Sequence, residues 1–501
     1  MALPLPVPVT GLKSVLKEVV RTRTGVVGFS MLGVLLGLVL VVPFVAPFDV
    51  AGEWGDRQVW LDNPRDAAPE RSEWFAGKQL ARTQILTPCN APGPIPLSNA
   101  TGSEPCPGGG WKKLVRRTTI FGDYVFITME RKFQFTADVF PSELSLAVWA
   151  DFGSAAPLLT VEWKRPDNVN LTLLQVAPDQ RVPTPNFYPL STDTRPCCTI
   201  RELIKNWAIT NFSANAQNVT LIRPEVTLFA QGGRDMLDFR RAVVLKGEYT
   251  LKIELAVGAV ELGVDAKAVV YGTVFGVAGT DSSRRDLLIG LLWGAPVALA
   301  FGAVAAVVIV LLQTILGALA TWYGGWWDEV VQRAADTLLI LPLLPILLLI
   351  AIIYSPSIWL LLLVLIGFGF VGSTSKVARS IVLQVKEEAY IEVAVSYGAS
   401  RARILFKHIL PRLLPYTFAL IALSVPSFIF LEASLSFLGL GDPLLPTWGS
   451  ILGQAYTGNA AFRGFWWWIT FPAAGIVFAT VAFALLGYSF DKVLNPRLRE
   501  Q

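Results

Sequence analysis

Long uncharged apolar segments recur along this chain of 501 residues, and they constrain its fold more than any other feature. The first runs from Gly25 to Pro47 and is long enough to cross about 30 Å of bilayer core as a helix. Hydrophobic residues make up 53% of the chain and charged residues only 16%, which is too apolar for a soluble protein of this size. The sequence therefore predicts an α-helical polytopic membrane protein.

The apolar runs predict six transmembrane helices, with a large polar insert after the first. A cleaved signal peptide is the alternative for the first run, but the apolar region of such peptides has only about 7–15 residues. Pro342, Pro345 and Pro426 are expected to bend the helices that contain them. The predicted division is a cytoplasmic N-terminal segment (1–24), transmembrane helix 1 (25–47), an extracytoplasmic mainly-β domain (49–286), an outer surface helix (287–294) with transmembrane helices 2–4 (to 373), a cytoplasmic loop (374–415), transmembrane helices 5–6 (416–490) and a cytoplasmic tail (491–501).

Basic residues orient the chain across the membrane. They precede the first apolar run, seven Lys or Arg lie in residues 374–415 and three in the tail, whereas residues 439–466 contain only Arg463. Cytoplasmic loops of membrane proteins carry such an excess of Lys and Arg. We therefore expect a multi-pass protein of the plasma membrane with both termini in the cytoplasm. The formal net charge of +4 gives no reason to expect nucleic acid as a partner.

Residues 49–286 have a different composition, because charged residues, prolines and glycines return and no run is long enough to cross a membrane. Short segments rich in β-branched and aromatic residues predict strands, and Asp167-Asn168 between two of them is typical of a turn. A small helix is expected from Ile200 to Trp207. The insert is therefore predicted to be mainly β, as a sandwich, with strands at 142–150, 158–163, 169–176 and 248–257.

Cysteines and glycosylation sequons place this insert outside the cytoplasm. All four N-x-[ST] sequons lie within it, and so do all four cysteines. Disulfides persist in oxidising compartments, so disulfide bonds are expected here, with reduced core thiols as the alternative. Three pairings of four cysteines are possible, and Cys89 with Cys106 is the simplest to envisage. The cysteines are Cys89, Cys106, Cys197 and Cys198, and the sequons begin at Asn99, Asn170, Asn211 and Asn218.

A polar, basic segment at residues 374–415 separates two apolar runs. Apolar residues three or four apart predict one amphipathic helix up to about Tyr397. Gly398 suits a left-handed helix end, and Ser400 is a suitable N-cap for a second helix, which Pro411 is expected to end. The segment is therefore predicted as a helical hairpin with charge on its outer face. From the pattern alone, a solvated connector is the alternative.

Three sequence patterns resemble the permease subunits of ATP-binding-cassette (ABC) importers, specifically the dipeptide, oligopeptide and nickel family. Residues 392–398 with ILP at 409–411 resemble the EAA loop, although Val393 stands where the family usually has alanine. Residues 431–441, LEASLSFLGLG, are very similar to a run of the same family. Residues 279–286, GTDSSRRD, resemble its GTDxxGRD signature, with Arg284 in place of the glycine.

The resemblance implies the type I permease fold of ABC importers and a set of partners. These are a second permease subunit in a heterodimer, two cytoplasmic ATPase subunits and an extracytoplasmic substrate-binding protein, with membrane lipid around the spans. The EAA loop would dock on the ATPases. The residues implied in docking are Glu388, Tyr390, Glu392, Ala394, Gly398, Ala399 and Pro411, and those of the signature before the second span are Gly279, Thr280, Asp281, Arg285 and Asp286.

The chain is expected to be a transport subunit without enzymatic activity or a cofactor of its own. It has no G-x-x-x-x-G-K-[ST] loop for a nucleotide phosphate, so ATP and magnesium would bind on the partner ATPases. The single histidine, His408, cannot supply a multi-histidine metal site. The expected function is import of di- or oligopeptides delivered by the binding protein. Import of oligosaccharides by the same architecture is the alternative.

Glu432 is a further candidate site residue because a carboxylate in a transmembrane helix is costly unless it is paired or hydrated. A structural hydrogen bond and a contact with the translocated substrate are both open. Two other classes of function also remain. One is a membrane-anchored receptor or adhesion protein that acts through its external β domain. The other is a secondary transporter, which the absence of mid-membrane Lys or Arg makes less suitable.

Overall fold

The chain forms two compact units in a computed structural model. One unit, the β unit, is Arg57–Asp286, and the other, the helical unit, combines Met1–Asp56 with Leu287–Gln501. The structure describes residues 12–87, 102–104, 112–118, 124–153, 155–181, 183–191, 200–217, 219, 221–258, 262–354, 357–441 and 445–494.

The helices of the helical unit follow the apolar runs of the sequence. Before the β unit come α1 (Leu12–Val19), α2 (Arg23–Val45) and α3 (Phe48–Gly52). The β unit contains α4 (Glu73–Ala76), α5 (Ile200–Phe212) and α6 (Pro224–Thr227). After it come α7 (Leu287–Tyr323), α8 (Trp326–Ile340), α9 (Leu343–Tyr354), α10 (Ile358–Phe368), α11 (Ser373–Lys386), α12 (Ala389–Ser396), α13 (Arg401–Ile404), a π-helical turn (Leu405–Ile409), α14 (Leu410–Leu435), a second π-helical turn (Ser436–Leu440), α15 (Trp448–Thr457), α16 (Ala460–Arg463) and α17 (Trp466–Leu494).

The membrane-spanning prediction is confirmed in its main feature. Within the described residues five helices are long and apolar enough to cross a membrane, and α8 with α9 makes a sixth if that bent pair is one span. These two helices meet at an angle of 75° beside Pro342. A proline there removes a backbone N–H and disfavours a helical residue before it, which explains the break.

The predicted surface helix at residues 287–294 is not a separate element. Helix α7 is continuous from Leu287 to Tyr323 and contains Pro296. Its first turns pack on bulky side chains, since a Cβ at Gly290 would lie 2.6 Å from Cη2 of Trp54. The run of residues 287–323 is longer than one membrane crossing requires, which is the basis of the predicted division. The packing of its first turns stabilises one longer helix instead.

Trp448 joins three helices of the helical unit. Its side chain is buried, and its Nε1 donates a hydrogen bond of 2.9 Å to the carbonyl of Leu291 in α7. A Cβ at Gly475 in α17 would lie 2.8 Å from Cε2 of the same ring. The small residue lets α17 approach the indole closely, as small residues do where membrane helices pack.

The β unit is a sandwich of antiparallel strands, so the mainly-β prediction is confirmed. Its strands are β1 (Gln84–Leu86), β2 (Gly102–Glu104), β3 (Lys112–Thr118), β4 (Tyr124–Phe135), β5 (Glu143–Phe152), β6 (Leu158–Lys164), β7 (Asn170–Val176), β8 (Asn186–Tyr188), β9 (Gly247–Val257) and β10 (Leu262–Tyr271). In the described part of the unit they form sheets of order β1-β10-β5-β8 and β2-β3-β4-β9-β6-β7. Buried side chains of both sheets share one hydrophobic core.

The predicted turn at Asp167-Asn168 is present and carries a buried arginine. Asn168 has φ of +63°, and its N–H donates to the carbonyl of Arg165 at 3.0 Å. The Arg165 guanidinium is 0% exposed and pairs with Asp167 at 2.8 Å. It also donates to the carbonyls of Thr227 and Ala230, so its hydrogen bonds offset the cost of burying the charge.

Arg284 holds the last residues of the β unit against its four-stranded sheet. Its backbone has φ of +69°, a left-handed conformation that costs a non-glycine residue about 1–2 kcal/mol. Its guanidinium donates to the carbonyl of Asn63 at 2.6 Å and pairs with Glu143 at the start of β5. It also lies 4.0 Å from the ring centroid of Tyr271 at the end of β10. The side chain therefore compensates for the backbone strain that a glycine would avoid.

Arg284→Gly is expected to destabilise the β unit although it relieves the backbone strain. Loss of the pairing with Glu143 costs about 3 kcal/mol, and glycine recovers only about 1 kcal/mol. The measurement is hydrogen exchange of the β5 and β10 amides in the full-length protein. Arg284→Ala keeps the strain and should exchange faster still. Protection of Arg284→Gly equal to that of the unaltered protein would contradict the anchoring role.

Candidate functional site

The segment at residues 374–415 is built from more pieces than the sequence predicts. The single helix expected up to Tyr397 is wrong, because α11 ends at Lys386 and α12 begins at Ala389. Glu388 between them has an extended backbone with ψ of 132°. The change of direction at this residue separates α12 from α11.

The turn after α12 is the glycine helix end that the sequence predicts. Gly398 has φ of +75°, and its N–H donates to the carbonyl of Val395 at 2.9 Å. The N–H of Ala399 donates to the carbonyl of Ala394 at 3.1 Å. These two bonds define a Schellman motif, in which a left-handed residue closes the last helical turn. Ser400 then caps α13, because its Oγ accepts a 3.3 Å bond from the N–H of Arg403.

Pro411 does not end the second helix, contrary to the prediction. The backbone stays helical from Arg401 through Leu435, and Pro411 lies in the first turn of α14. The preceding turn, Leu405–Ile409, is π-helical, and the N–H of Leu410 bonds to the carbonyl of Leu405. A wider turn accommodates a proline that lacks an N–H, as π-bulges commonly do within longer helices.

The segment has one buried and one exposed apolar surface. Ile391 of α12 packs with Ile404, Leu405 and other apolar residues of α11 and α14 in one core. Val393 is 52% exposed, Tyr397 89% and Phe406 64%, and Glu392 beside them is also exposed. Large apolar side chains so exposed on a polar helix pair are candidates for contact with another protein. Sequence reasoning did not identify Tyr397 and Phe406 as docking residues, and Lys407 next to Phe406 is the only adjacent charged residue.

Two further predicted docking residues, Glu388 and Tyr390, lie against the π-helical turn and the start of α14. Glu388 pairs with Arg412 at 3.9 Å, and the Arg412 guanidinium lies 5.8 Å from the ring centroid of Tyr390. The Tyr390 ring is also 6.2 Å from that of His408. Both side chains of the Glu388–Arg412 pair are about half exposed, so the pair is weak by itself and remains available to a partner.

Glu432 is fully buried within the helical unit. Its Oε1 accepts a 2.6 Å hydrogen bond from Oγ of Ser436, one turn further along. The hydroxyl of Thr447, the N-cap of α15, also faces the carboxyl group. Among the residues that the structure describes, Oε2 has no hydrogen-bond partner of normal geometry. The carboxyl group therefore connects the end of α14 to the start of α15.

The GTDxxGRD-like residues form a compact turn in the β unit. Thr280 accepts a 3.0 Å bond from the N–H of Ala67 and donates to the carbonyl of Pro64. Asp281 is 0% exposed and pairs with Arg285 at 2.6 Å. Burial raises the pKa of the Asp281 carboxyl, and the Arg285 guanidinium opposes that change. Gly279 is left-handed, and Asp286 forms an isolated bridge with Thr280.

The predicted disulfides cannot be placed, since Cys89, Cys106, Cys197 and Cys198 lie outside the described residues. Asn99 and Asn218 also lie outside them, whereas Asn170 begins β7 and Asn211 lies in α5. The Asn211 side chain donates a 2.9 Å bond to the carbonyl of Trp207. Disulfide formation and glycosylation therefore stay predictions.

Comparison with known proteins gives a family match over the C-terminal part of the chain and matches to transport system permease proteins. Residues 313–500 match the family described as binding-protein-dependent transport system inner membrane component. The chain is 32% identical over 223 residues to the oligopeptide transport system permease protein OppC of Bacillus subtilis, covering 44% of this chain and 72% of that protein. It is 32% identical over 222 residues to the dipeptide transport system permease protein DppC of the same organism, covering 44% and 68%.

A third relative has a different cargo in its name. The chain is 33% identical over 223 residues to the glutathione transport system permease protein GsiD of Pectobacterium atrosepticum, covering 44% of this chain and 72% of that protein. Identity of this degree over most of each relative is sufficient to assign the family. The chain therefore belongs to the binding-protein-dependent transport system inner membrane components, as an ABC-importer permease of the OppC and DppC kind.

Proposed function

We propose that this chain forms half of the translocation pathway of an ABC importer for di- or oligopeptides. The observation that carries the proposal is the exposed apolar surface at Val393, Tyr397 and Phe406, set beside the Schellman turn at Gly398. This surface is the docking site for cytoplasmic ATPase subunits, which bind ATP and magnesium. The names of the relatives support a peptide cargo over an oligosaccharide.

The proposed assembly contains a second permease subunit, two ATPase subunits and an extracytoplasmic substrate-binding protein. Both termini and the segment at residues 374–415 face the cytoplasm, and the β unit faces the opposite side. The excess of Lys and Arg in residues 374–415 supports this orientation. The β unit contributes to the surface on which the binding protein docks.

Glu432 acts in this proposal as a structural brace. Its burial and its contact with Ser436 favour this role over a contact with the translocated peptide, which requires an accessible side chain. A carboxyl group in this position is costly, and the hydrogen bond from the Ser436 hydroxyl offsets part of that cost.

Replacing the exposed aromatic residues should weaken ATPase binding without affecting folding. Tyr397→Ser and Phe406→Ser remove side chains that are 89% and 64% exposed, so the stability of the permease should change by less than about 0.5 kcal/mol. Co-purification of the ATPases from detergent extracts should fall at least about tenfold for the double variant. The matched control is Phe462→Ser, which removes a ring that is 93% exposed in α16. Equal ATPase recovery from all variants would contradict the docking site.

Gly398→Pro should also separate the ATPases from the permease. Proline fixes φ near −65°, whereas Gly398 has +75°, and it removes the N–H that bonds to Val395. The control is Gly464→Pro, a left-handed glycine with φ of +78° at the end of α16. We expect loss of ATPase co-purification only with Gly398→Pro, measured on complexes from native membranes. Loss with both variants would indicate general misfolding.

The brace role of Glu432 predicts a graded effect on stability. Glu432→Gln keeps an acceptor for Ser436 and should be mild, whereas Glu432→Ala removes the acceptor of the buried Ser436 hydroxyl and should cost about 2 kcal/mol. Thermal unfolding of the purified permease in detergent measures both. Transport loss in Glu432→Ala with unchanged thermal stability would instead support contact with the peptide.

A further inference from the structure

Helices α11 and α13 of the segment at residues 374–415 contact the turn that joins α7 to α8. This α7–α8 corner consists of residues 321–328, where α7 ends at Tyr323 and α8 begins at Trp326. Gly324 and Gly325 between them have φ of +73° and +62°. Positive φ values cost glycine little, so these two residues connect the helices without backbone strain.

An ion pair connects the corner to α11. Arg379 donates from Nε to Oδ2 of Asp328 at 2.9 Å, and its Nη2 lies 2.9 Å from the same oxygen. The Asp328 side chain is only 17% exposed, and the Thr321 hydroxyl lies 3.3 Å from its Oδ1. Because two guanidinium nitrogens contact one carboxylate, the pair fixes both the distance and the orientation of Arg379 relative to Asp328. A single hydrogen bond would leave the orientation free.

Two further contacts hold the end of α7. Lys386, the last residue of α11, donates to the carbonyl of Thr321 at 2.5 Å, and its ammonium lies 5.5 Å from the ring centroid of Trp322. Nε1 of Trp322 donates a 3.0 Å bond to the carbonyl of Arg401, the first residue of α13. The corner is therefore bonded both to the helix before α12 and to the helix after the Gly398 turn.

Close backbone packing supports these polar contacts. A Cβ at Gly317 would lie 2.6 Å from the carbonyl oxygen of Ser375 in α11, and Ala318 shares a buried core with Val382 and Ile404. Neither α11 nor α13 can shift against α7 without breaking hydrogen bonds and leaving polar groups unpaired. The segment and the corner form one mechanical piece.

We propose that the α7–α8 corner receives the motion of the docked ATPases and passes it to α7 and to the bent pair α8–α9. The Asp328–Arg379 pair and the Lys386–Trp322 contact carry that motion, so both act as positioning residues for transport. In this arrangement the spans before the segment move with it, together with α14, which continues directly from it. The inference rests on the proposed function.

The test uses charge exchange in the assembled transporter. Asp328→Arg, Arg379→Asp and the double variant are purified with their ATPases and reconstituted in vesicles with the binding protein and a dipeptide. The singles should retain the ATPases but lose about tenfold in the ATPase stimulation given by peptide-loaded binding protein. The double variant, with the pair restored in reverse, should recover stimulation to within about threefold of the unaltered complex.

Controls separate coupling from folding and from docking. Glu329→Arg makes the same charge change one residue further along α8, where the side chain is 69% exposed, and should leave stimulation unchanged. If the charge reversals fold poorly, Arg379→Gln removes only the charge and should show the same loss of stimulation.

Normal stimulation in the assembled single variants, or no recovery in the assembled double variant, would overturn this inference. Absence of ATPases from the unaltered complex would instead overturn the proposed function.

Discussion

Hydrogen bonds join the first and last segments of the β unit, and the insertion of this unit between two helices depends on them. Ala68 and Arg82 form parallel bridges with Val274, β1 pairs with β10, and the Thr280 hydroxyl accepts from the N–H of Ala67. The residues that enter the unit are thus hydrogen-bonded to those that leave it. Domains whose termini lie close together are readily inserted into other folds. The two ends of the β unit therefore lie close together, whatever the length of the insert between them.

Arg284 and Asp281 strengthen this connection in different ways. Asp281 bonds to residues of its own turn, so it shapes the turn. Arg284 reaches Asn63, Glu143 and Tyr271, so it connects the turn to the sheet. A glycine at position 284 would adopt the backbone conformation more easily but would make none of these contacts. Arg284, which replaces the glycine of the family signature, thus makes contacts with the β sandwich that a glycine could not make.

Sequence reasoning predicted the parts of the fold that local chemistry decides. Apolar length located the spans, short segments rich in β-branched and aromatic residues located β5, β6, β7 and β9, and Gly398 marked a left-handed turn. The predictions were wrong where contacts with neighbouring residues determine the local backbone. The break at Glu388 has no glycine or proline to signal it, and Pro411 was tolerated because a π-helical turn precedes it. Exposure of Tyr397 could not be predicted, since an aromatic residue in a helix is usually buried.

The π-helical turn at Leu405–Ile409 also affects how this part of the protein can vary. One extra residue in a helix of 3.6 residues per turn rotates everything after it by about 100° about the axis. The exposed side of the helix before this turn and the side of α14 that packs within the helical unit are therefore set out of phase. The exposed side before the turn and the packed side after it are thus formed by different residues. Residues on the exposed side can therefore be substituted without changing the packed side of α14, and the reverse also holds.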